Sequence, residues 1–314
     1  MRKWLIGIVG FTLLVIIGIF ILLPAQIVVQ QSVFVHASAK SSYRCLTEKS
    51  MIQKWWRADS KNKISNNFAS FSENEWEYQF IPLMLNGVKV NINHGKKNIQ
   101  SLITIAGLEK DSSYLEWKAE WPKTHNPIVR LQQYCHAHAM KKNIRDVLMQ
   151  FSNFINNPER LYGLQINRTK VIDTLIATSK KVVSTYPVAN EYYKMIEYLQ
   201  QYVAAFDAQA TNYPMLNISP IGKNEFGVMV GLPVNKPIPE SNHIQLKRMI
   251  PGNILVAEIT GGLNRIEAAK QEMINYLDDN NLRQPAIPYQ QLITNRKAEP
   301  DSTRWVTKLY FPIY

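Results

Sequence analysis

Residues 190–206 read NEYYKMIEYLQQYVAAF, and residues 264–277 read NRIEAAKQEMINYL. Both stretches place apolar side chains at three- and four-residue steps, which is the spacing of one face of a helix. In the first stretch these residues are Tyr192, Met195, Leu199, Val203 and Phe206. A shift of 74 positions, from 192 to 266, superimposes on them Ile266, Ala269, Met273 and Leu277. The two stretches therefore predict two helices that belong to an internal repeat.

The elements around each predicted helix follow one order. A strand-like run precedes each helix, at 170–178 and at 254–259. Two strand-like runs follow each helix, at 215–219 and 226–234 and at 290–294 and 305–313. We predict a strand-helix-strand-strand unit that is used twice about a pseudo-two-fold axis, with a groove between the halves. Chance alignment is the alternative.

The first half of the chain combines predicted strands with one long helix. Residues 26–36 favour a strand because β-branched residues dominate there. Three later runs alternate apolar and polar residues, which places each apolar set on one face of a sheet. The sets are Trp76, Tyr78 and Phe80, then Val88, Val90 and Ile92, then Leu115, Trp117, Ala119 and Trp121. Residues 140–155 return to helical spacing, so the layout is α+β, with a helix over a curved antiparallel sheet.

Residues 4–23, WLIGIVGFTLLVIIGIFILL, contain no charge. At about 1.5 Å per residue, such a run matches the roughly 30 Å hydrocarbon core of a bilayer. Arg2 and Lys3 precede it and the next Lys or Arg is Lys40, so the positive-inside rule places the N-terminus in the cytoplasm. A cleaved signal peptide is the alternative, but its apolar region usually spans about 7–15 residues. We predict an uncleaved single-pass anchor in the cytoplasmic (inner) membrane, with the rest of the chain outside.

The charge and the cysteine content restrict the classes of function. The formal net charge is +12, from 36 Lys and Arg against 24 Asp and Glu. These residues are scattered, which favours a solvated basic surface over a nucleic-acid partner. Cys45 and Cys135 form no CxxC pair, so a zinc or thioredoxin-type motif has no support. A disulfide and two separate thiols both remain open.

The first half resembles a known superfamily. Residues 26–56 combine a strand, a short helix at 41–48 and the run Lys54-Trp55-Trp56, and the long helix at 140–155 follows later. This layout resembles the START-like superfamily (SRPBCC, polyketide cyclase and lipid transport) over about 26–157. The resemblance implies a helix-grip domain, with an antiparallel sheet wrapped on a long C-terminal helix. It also implies an apolar cavity lined by Trp55, Trp76 and Trp117, with plain core packing as the alternative.

Residues 170–314 resemble the gyrase-inhibitor-like small-molecule-binding domain, the effector-binding part of some transcription regulators. The matching segments are KRMIPG at 247–252, EITGG at 258–262, AIPY at 286–289 and WVTKLYFP at 305–312. The resemblance implies a ligand groove near Glu258, Tyr289 and Gln290. Many relatives have glutamate where this chain has Gln290 and Lys308, and these two departures argue against a preference for cationic ligands. The whole order of segments resembles an envelope protein of Bacteroidota-type bacteria.

Residue types that carry catalysis or bind metals give weak patterns. His136 and His138 stand two apart on a predicted strand beside Cys135, but this spacing alone does not predict a metal site. No G-x-S-x-G, P-loop or H-E-x-x-H motif occurs. Glu258 has no second acid at the position of Gln290. We therefore predict no catalytic residue, no metal and no cofactor.

These observations combine into one prediction of fold and function. The fold is α+β, with a transmembrane anchor at 1–24, a START-like domain at 25–165 and a gyrase-inhibitor-like domain at 166–314. The function is a membrane-anchored, extracytoplasmic protein that binds a hydrophobic or amphipathic small molecule. Its expected partners are that ligand and the membrane, the latter through residues 4–23, with no nucleic acid. The predicted ligand contacts are Trp55, Trp76, Trp117, Glu258, Tyr289 and Gln290. An envelope cyclase or hydrolase, and a structural partner of another membrane protein, are the alternatives.

Overall fold

The computed structural model describes residues 2–56, 69–73, 76–84, 87–95 and 97–314. The fold is α+β, and the chain divides into two units, Met1–Asn157 and Pro158–Tyr314. Each unit contains one antiparallel sheet with its own helices. The two units are described separately below.

The first unit contains a six-stranded sheet with the strand order β1-β6-β5-β4-β3-β2. Its elements are α1 (Arg2–Leu22), β1 (Val28–Val35), α2 (Ala39–Thr47), α3 (Lys49–Trp55), β2 (Ala69–Glu73), β3 (Trp76–Leu83), β4 (Gly87–His94), β5 (Lys97–Glu109), β6 (Ser112–Glu120) and α4 (Pro127–Ile155). All the strand pairs in this sheet are antiparallel. The period-two pattern predicted for β3, β4 and β6 is confirmed, because their alternate residues are buried.

Helix α4 begins well before the predicted start at residue 140. Asn126 caps it, because its Oδ1 accepts hydrogen bonds from the backbone N–H groups of Ile128 (3.0 Å) and Val129 (3.3 Å). Pro127 occupies the first turn, where its missing N–H costs nothing. The strand predicted around His136 and His138 is therefore wrong, since both residues lie within α4. An apolar stripe of α4 that includes Met140, Ile144 and Phe151 is buried in the core.

The predicted membrane anchor is contradicted. A span needs about 20 consecutive apolar residues in one helix. In the part of the chain that the structure describes, no helix is long and apolar enough to cross a membrane. This finding overturns the transmembrane anchor predicted at 1–24, and with it the predicted single-pass localisation in the inner membrane. The side chains of Arg2 and Lys3, on which the predicted orientation rested, lie outside those that the structure describes.

The second unit contains an eight-stranded sheet with the order β11-β8-β10-β9-β13-β14-β12-β7. Its elements are α5 (Pro158–Tyr162), β7 (Ile166–Lys170), β8 (Leu175–Val183), α6 (Ala189–Ala205), β9 (Met215–Gly222), β10 (Glu225–Pro233), β11 (Gln245–Arg248), β12 (Asn253–Thr260), α7 (Leu263–Asp279), β13 (Tyr289–Leu292) and β14 (Val306–Ile313), with a 3-10 turn at Ser302–Arg304. The strand-helix-strand-strand unit occurs twice, as β8-α6-β9-β10 and β12-α7-β13-β14. The central strands β9 and β13 pair antiparallel, so the order β8-β10-β9 is mirrored by β13-β14-β12.

The two faces of this sheet have different environments. Helix α6 and strand residues such as Val228 and Val230 form one buried core, while α7 and residues such as Leu255 form another. The alternate residues of the same strands, including Thr178 and Met229, point to the opposite face. Helices therefore cover one face, which we call the helix face, and the other is the open face.

Candidate functional site

A cavity of about 560 Å³ lies on the open face of the eight-stranded sheet. Strands β8, β9, β10 and β13 provide its floor, and residues 247–253 and 285–287 provide further walls. The floor includes the side chains of Ile176, Thr178, Met215, Asn217, Met229 and Tyr289. Most of this lining is apolar, and a few polar groups point into the cavity. Small-molecule sites commonly have this composition.

Gly231 keeps the floor of the cavity flat. A Cβ atom at this position would lie 2.9 Å from Cγ2 of Ile176, which is closer than carbon atoms approach. Because glycine has no side chain, Ile176 of β8 can lie directly over β10. The absence of a side chain at residue 231 therefore positions one apolar group of the site.

Two hydrogen bonds hold the walls of the cavity in place. Asn217 Nδ2 donates to the carbonyl oxygen of Pro288 (2.8 Å), which fixes the segment before β13 against β9. Thr178 Oγ1 donates to the carbonyl oxygen of Gln245 (3.1 Å), which fixes β11 against β8. Both bonds use polar side chains of the floor, so the walls are anchored to the sheet itself.

Tyr289 provides the aromatic surface of the cavity. Its ring stacks on that of Tyr310, with centroids 4.9 Å apart and planes 5° apart. Tyr310 is held in turn by a hydrogen bond from its hydroxyl to Gln291 Oε1 (3.1 Å). Burial raises the pKa of Tyr289, and the nearby Tyr310 and Asp173 raise it further. The phenol of Tyr289 therefore stays protonated at neutral pH and can donate a hydrogen bond.

The structure separates the three residues predicted for the groove. Tyr289 lines the cavity. Glu258 lies on the same open face, but it is exposed, forms an ion pair with Lys308 (Nζ to Oε2, 3.5 Å) and does not line the cavity. Gln290 is buried on the helix face, because neighbouring residues of a strand point to opposite sides.

Gln290 belongs to a polar cluster around a buried arginine that the sequence did not reveal. Arg296 is 4% exposed, and its Nη2 donates to Gln290 Oε1 (3.0 Å) and to Thr307 Oγ1 (2.8 Å). Its Nη1 donates to the hydroxyl of Tyr192 (3.2 Å), and its guanidinium lies 5.1 Å from the ring centroid of Trp305. The side chain of Gln290 is therefore hydrogen-bonded to an internal cation, Arg296.

The tryptophans predicted for a cavity in the first unit lie in its packed interior. Trp117 is fully buried, and its Nε1 donates to Ser101 Oγ (2.9 Å). Trp55 donates from Nε1 to the carbonyl oxygen of Cys45 (3.0 Å), and Phe80 lies about 6 Å from both indoles. Trp76 is also buried and stacks on a histidine ring. A role of these tryptophans in ligand binding stays a prediction.

His94 and His136 of the first unit form aromatic contacts. His94 stacks on Trp76 with centroids 4.4 Å apart, and the His136 ring lies 5.6 Å from His94. Burial, followed by the charges of Lys97 and His94, lowers the pKa of His136. Within the described ranges, no three His, Cys, Asp or Glu side chains stand close enough to hold a metal ion. No disulfide joins Cys45, which is buried, to Cys135, which is exposed.

Several residues of the cavity were absent from the sequence prediction. They include Met215, Met229 and Asn217 on the sheet, and Lys247 and Arg248 on β11. The segment KRMIPG at 247–252 was recognised only as part of the family resemblance. Its position against the open face depends on the pairing of β11 with β8, which no local pattern predicts.

No family model matches the chain, and no curated protein matches it. Several solved structures are similar to it. They include the C-terminal domain of EcmrR, with 16% identity and a TM-score of 0.42 over 48% of this chain and 98% of that chain. SAV2435 bound to tetraphenylphosphonium has 10% identity and a TM-score of 0.34 over 48% of this chain and 94% of that chain. The Aha1 dimer from Colwellia psychrerythraea has 14% identity and a TM-score of 0.30 over 41% of this chain and 96% of that chain.

Likeness at these identities and TM-scores does not show a family. The gyrase-inhibitor-like resemblance, the START-like resemblance and the Bacteroidota-type origin therefore stay predictions.

Proposed function

We propose that the second unit binds an apolar or amphipathic small molecule in the cavity on its open face, as an effector-binding domain of the gyrase-inhibitor-like kind. The observation that carries this proposal is the cavity of about 560 Å³ above the centre of the sheet. Ligand pockets of proteins commonly measure about 300–1,000 Å³, with mainly apolar walls and a few polar groups.

The side chains of the cavity suit a ligand with a flat or irregular apolar body. Tyr289 can stack on such a body with little loss of entropy, because its side chain has only two torsions and its ring is already held by Tyr310. Met215 and Met229 adapt their shape to the ligand, since methionine is unbranched and polarisable. Asn217 and the phenol of Tyr289 can orient a polar group of the ligand.

Two exposed isoleucines provide a matched test of the site. Ile250 lines the cavity and is 87% exposed, while Ile172 is 83% exposed and does not line it. We expect Ile250→Asp to weaken binding of the neutral fluorescent probe N-phenyl-1-naphthylamine by roughly tenfold, because it places a charge against an apolar ligand. Ile172→Asp should leave the affinity unchanged. Equal affinities of the two variants, measured by fluorescence titration, would remove the cavity from the proposal.

The aromatic contact has its own test. We expect Tyr289→Ala to weaken binding of the same probe by roughly three- to tenfold, which corresponds to one aromatic stacking contact of about 0.5–1.5 kcal/mol. Tyr213 is 50% exposed and does not line the cavity, so Tyr213→Ala is the control. Unchanged probe affinity in Tyr289→Ala would show that Tyr289 does not contact the ligand.

The predicted alternative of a hydrolase or cyclase gains no support from this site. Among the described residues that line the cavity, none is Asp or Glu. Glu258, the acid named for that chemistry, is bound to Lys308 outside the cavity. Binding without a chemical step is therefore the function that the geometry supports best.

A further inference from the structure

The charged side chains among the described residues of the cavity are all of one sign. Lys247 and Arg248 are the only ionisable lysine, arginine, aspartate or glutamate side chains among the described residues of its lining. Both lie on β11, at the edge of the sheet. Lys247, opposite Ile176, points to the open face, and Arg248, opposite Leu175, is the last residue of the strand and points to the other side. The wall that β11 contributes is therefore positively charged, while the floor is apolar.

The ammonium group of Lys247 lies over the floor of the cavity. Its Nζ is 3.7 Å from Sδ of Met229, a residue of that floor. Lys247 forms no ion pair with any carboxylate that the structure describes, and neither does Arg248. Two cations beside an apolar surface thus have no acidic partner within the described residues, and a ligand could provide one.

The acids near this part of the sheet are already bonded to other groups. Glu240 Oε1 accepts a hydrogen bond from the backbone N–H of Leu246 (2.9 Å), next to Lys247 on β11. Asp173 accepts a hydrogen bond from Asn212 Nδ2 (2.9 Å), and Glu258 pairs with Lys308. Their charges act on the tyrosine pair, since Asp173 raises the pKa of Tyr289 and both acids raise that of Tyr310. The phenol of Tyr289, which lines the cavity, is protonated at neutral pH and can donate a hydrogen bond to an acceptor on the ligand.

We propose that the cavity selects anionic amphiphiles, molecules with an apolar body and one acidic group that pairs with Lys247. This inference rests on the proposed function, because it names the ligand class of the same site. The apolar body lies on Met215, Met229 and Tyr289, and the acidic group faces β11. The recognition is selective by charge because a cationic ligand of the same shape meets a like charge.

An isosteric pair of ions tests the sign of this selectivity. Tetraphenylborate and tetraphenylphosphonium have the same shape and opposite charge, and each can be titrated as a competitor of N-phenyl-1-naphthylamine on the full chain. We expect tetraphenylborate to displace the neutral probe at a roughly fivefold lower concentration, the effect of one partly exposed ion pair. Equal or tighter binding of tetraphenylphosphonium would overturn the inference.

Two double variants separate the local charge from the net charge. Lys247→Gln with Arg248→Gln should bring the borate-to-phosphonium ratio close to one, because it removes the positive charge of the wall that β11 contributes. Lys223→Gln with Lys236→Gln makes the same change of net charge at exposed positions outside the cavity, and should leave the ratio unchanged. A ratio that stays the same in the first double variant would overturn the inference.

Failure of the inference is distinguishable from failure of the proposed function. If the neutral probe binds and is sensitive to Ile250→Asp while the two ions do not differ, the cavity binds ligands and only the charge selectivity is wrong. If Ile250→Asp and Ile172→Asp bind the neutral probe equally, the cavity is not the site, and both proposals are wrong.

Discussion

The two sheets of this chain differ on the face away from their packed core. The outer face of the six-stranded sheet mixes exposed apolar side chains, such as Phe34 and Leu102, with polar pairs such as Lys118 and Glu120 (2.7 Å). The open face of the eight-stranded sheet instead gathers Met215 and Met229 in one cavity. A concave, mostly apolar surface with a few polar groups is the usual form of a small-molecule site. The comparison therefore favours the second sheet as the one shaped for a ligand.

The aromatic residues of the two sheets differ in the same way. In the first unit Trp117 is fully buried and contacts Tyr78 and Phe80, with ring centroids about 6 Å apart. In the second unit the ring of Tyr289 has one face on Tyr310 and lines a cavity. Rings of the first kind stabilise the fold, whereas a ring of the second kind is available to a partner. Substitutions at the two positions should therefore affect different measurements.

The largest expected effect is that of Trp117→Ala. We expect it to lower the free energy of unfolding by about 3–5 kcal/mol, because it leaves a large void and removes the hydrogen bond to Ser101. Tyr289→Ala should cost less than about 1.5 kcal/mol, because the side chain already borders a cavity. Urea unfolding monitored by circular dichroism measures both values. A similar loss of stability in the two variants would show that Tyr289 is core and would break the comparison.

The repeat and most elements could be predicted because they depend on local periodicity. The alternating residues Tyr78, Val90 and Trp117 are buried as the period-two pattern predicts, and α6 and α7 occupy the repeated helical stretches. The mirrored strand order about β9 and β13 agrees with a duplicated unit. Short elements could not be predicted from periodicity. The four residues of β11, for example, lie in a segment with no alternation of its own.

The start of α4 was missed although its signal was present. Asn126 followed by Pro127 is a common beginning of a helix, since asparagine caps the first N–H groups and proline tolerates the first turn. The prediction followed the apolar stripe, which becomes regular only near Met140. A capping signal thus fixed the helix start better than the periodicity did.

The cavity could be predicted only in part, for a reason that lies in β10. Residues 228–234, VMVGLPV, are apolar throughout, so the sequence does not tell which alternate set faces the helices. Tyr289 was named from the family resemblance and does line the cavity. Gln290, named beside it, faces the other side, because adjacent residues of one strand cannot share a face.

The second largest expected effect concerns the helix face of the second sheet. It tests whether this face is a packed core, like the interior of the first unit. Arg296→Met should lower the free energy of unfolding by about 2–4 kcal/mol, because it leaves the buried partners Gln290 and Thr307 without their donor. Arg304→Met is the control, since that side chain is 73% exposed and should change stability by less than about 0.5 kcal/mol. The same urea titration measures both. An unchanged free energy of unfolding in Arg296→Met would mean that the cluster contributes no net stability, as is found for some buried charges.

The smallest expected effect concerns a phenol on the helix face. The hydroxyl of Tyr186 donates to Oε1 of Glu267 (3.4 Å), and burial together with the Glu267 charge raises the pKa of Tyr186 from 10.0 to about 12. The folded state therefore keeps the proton where the unfolded state has already lost it. This contribution to stability is complete below about pH 10 and is lost as the pH rises towards about 12.

Tyr186→Phe should accordingly flatten the decline of stability on the alkaline side. The change will be small, because Tyr186 is 38% exposed and water screens part of the interaction. Tyr198→Phe, which removes a phenol 45% exposed on α6, serves as the control and should leave the alkaline decline as in the unchanged chain. Urea midpoints measured at neutral pH and at several alkaline values give the comparison. If Tyr186→Phe and Tyr198→Phe decline alike, the hydroxyl of Tyr186 is effectively in solvent, and the helix face is less closed around it than its contact with Glu267 indicates.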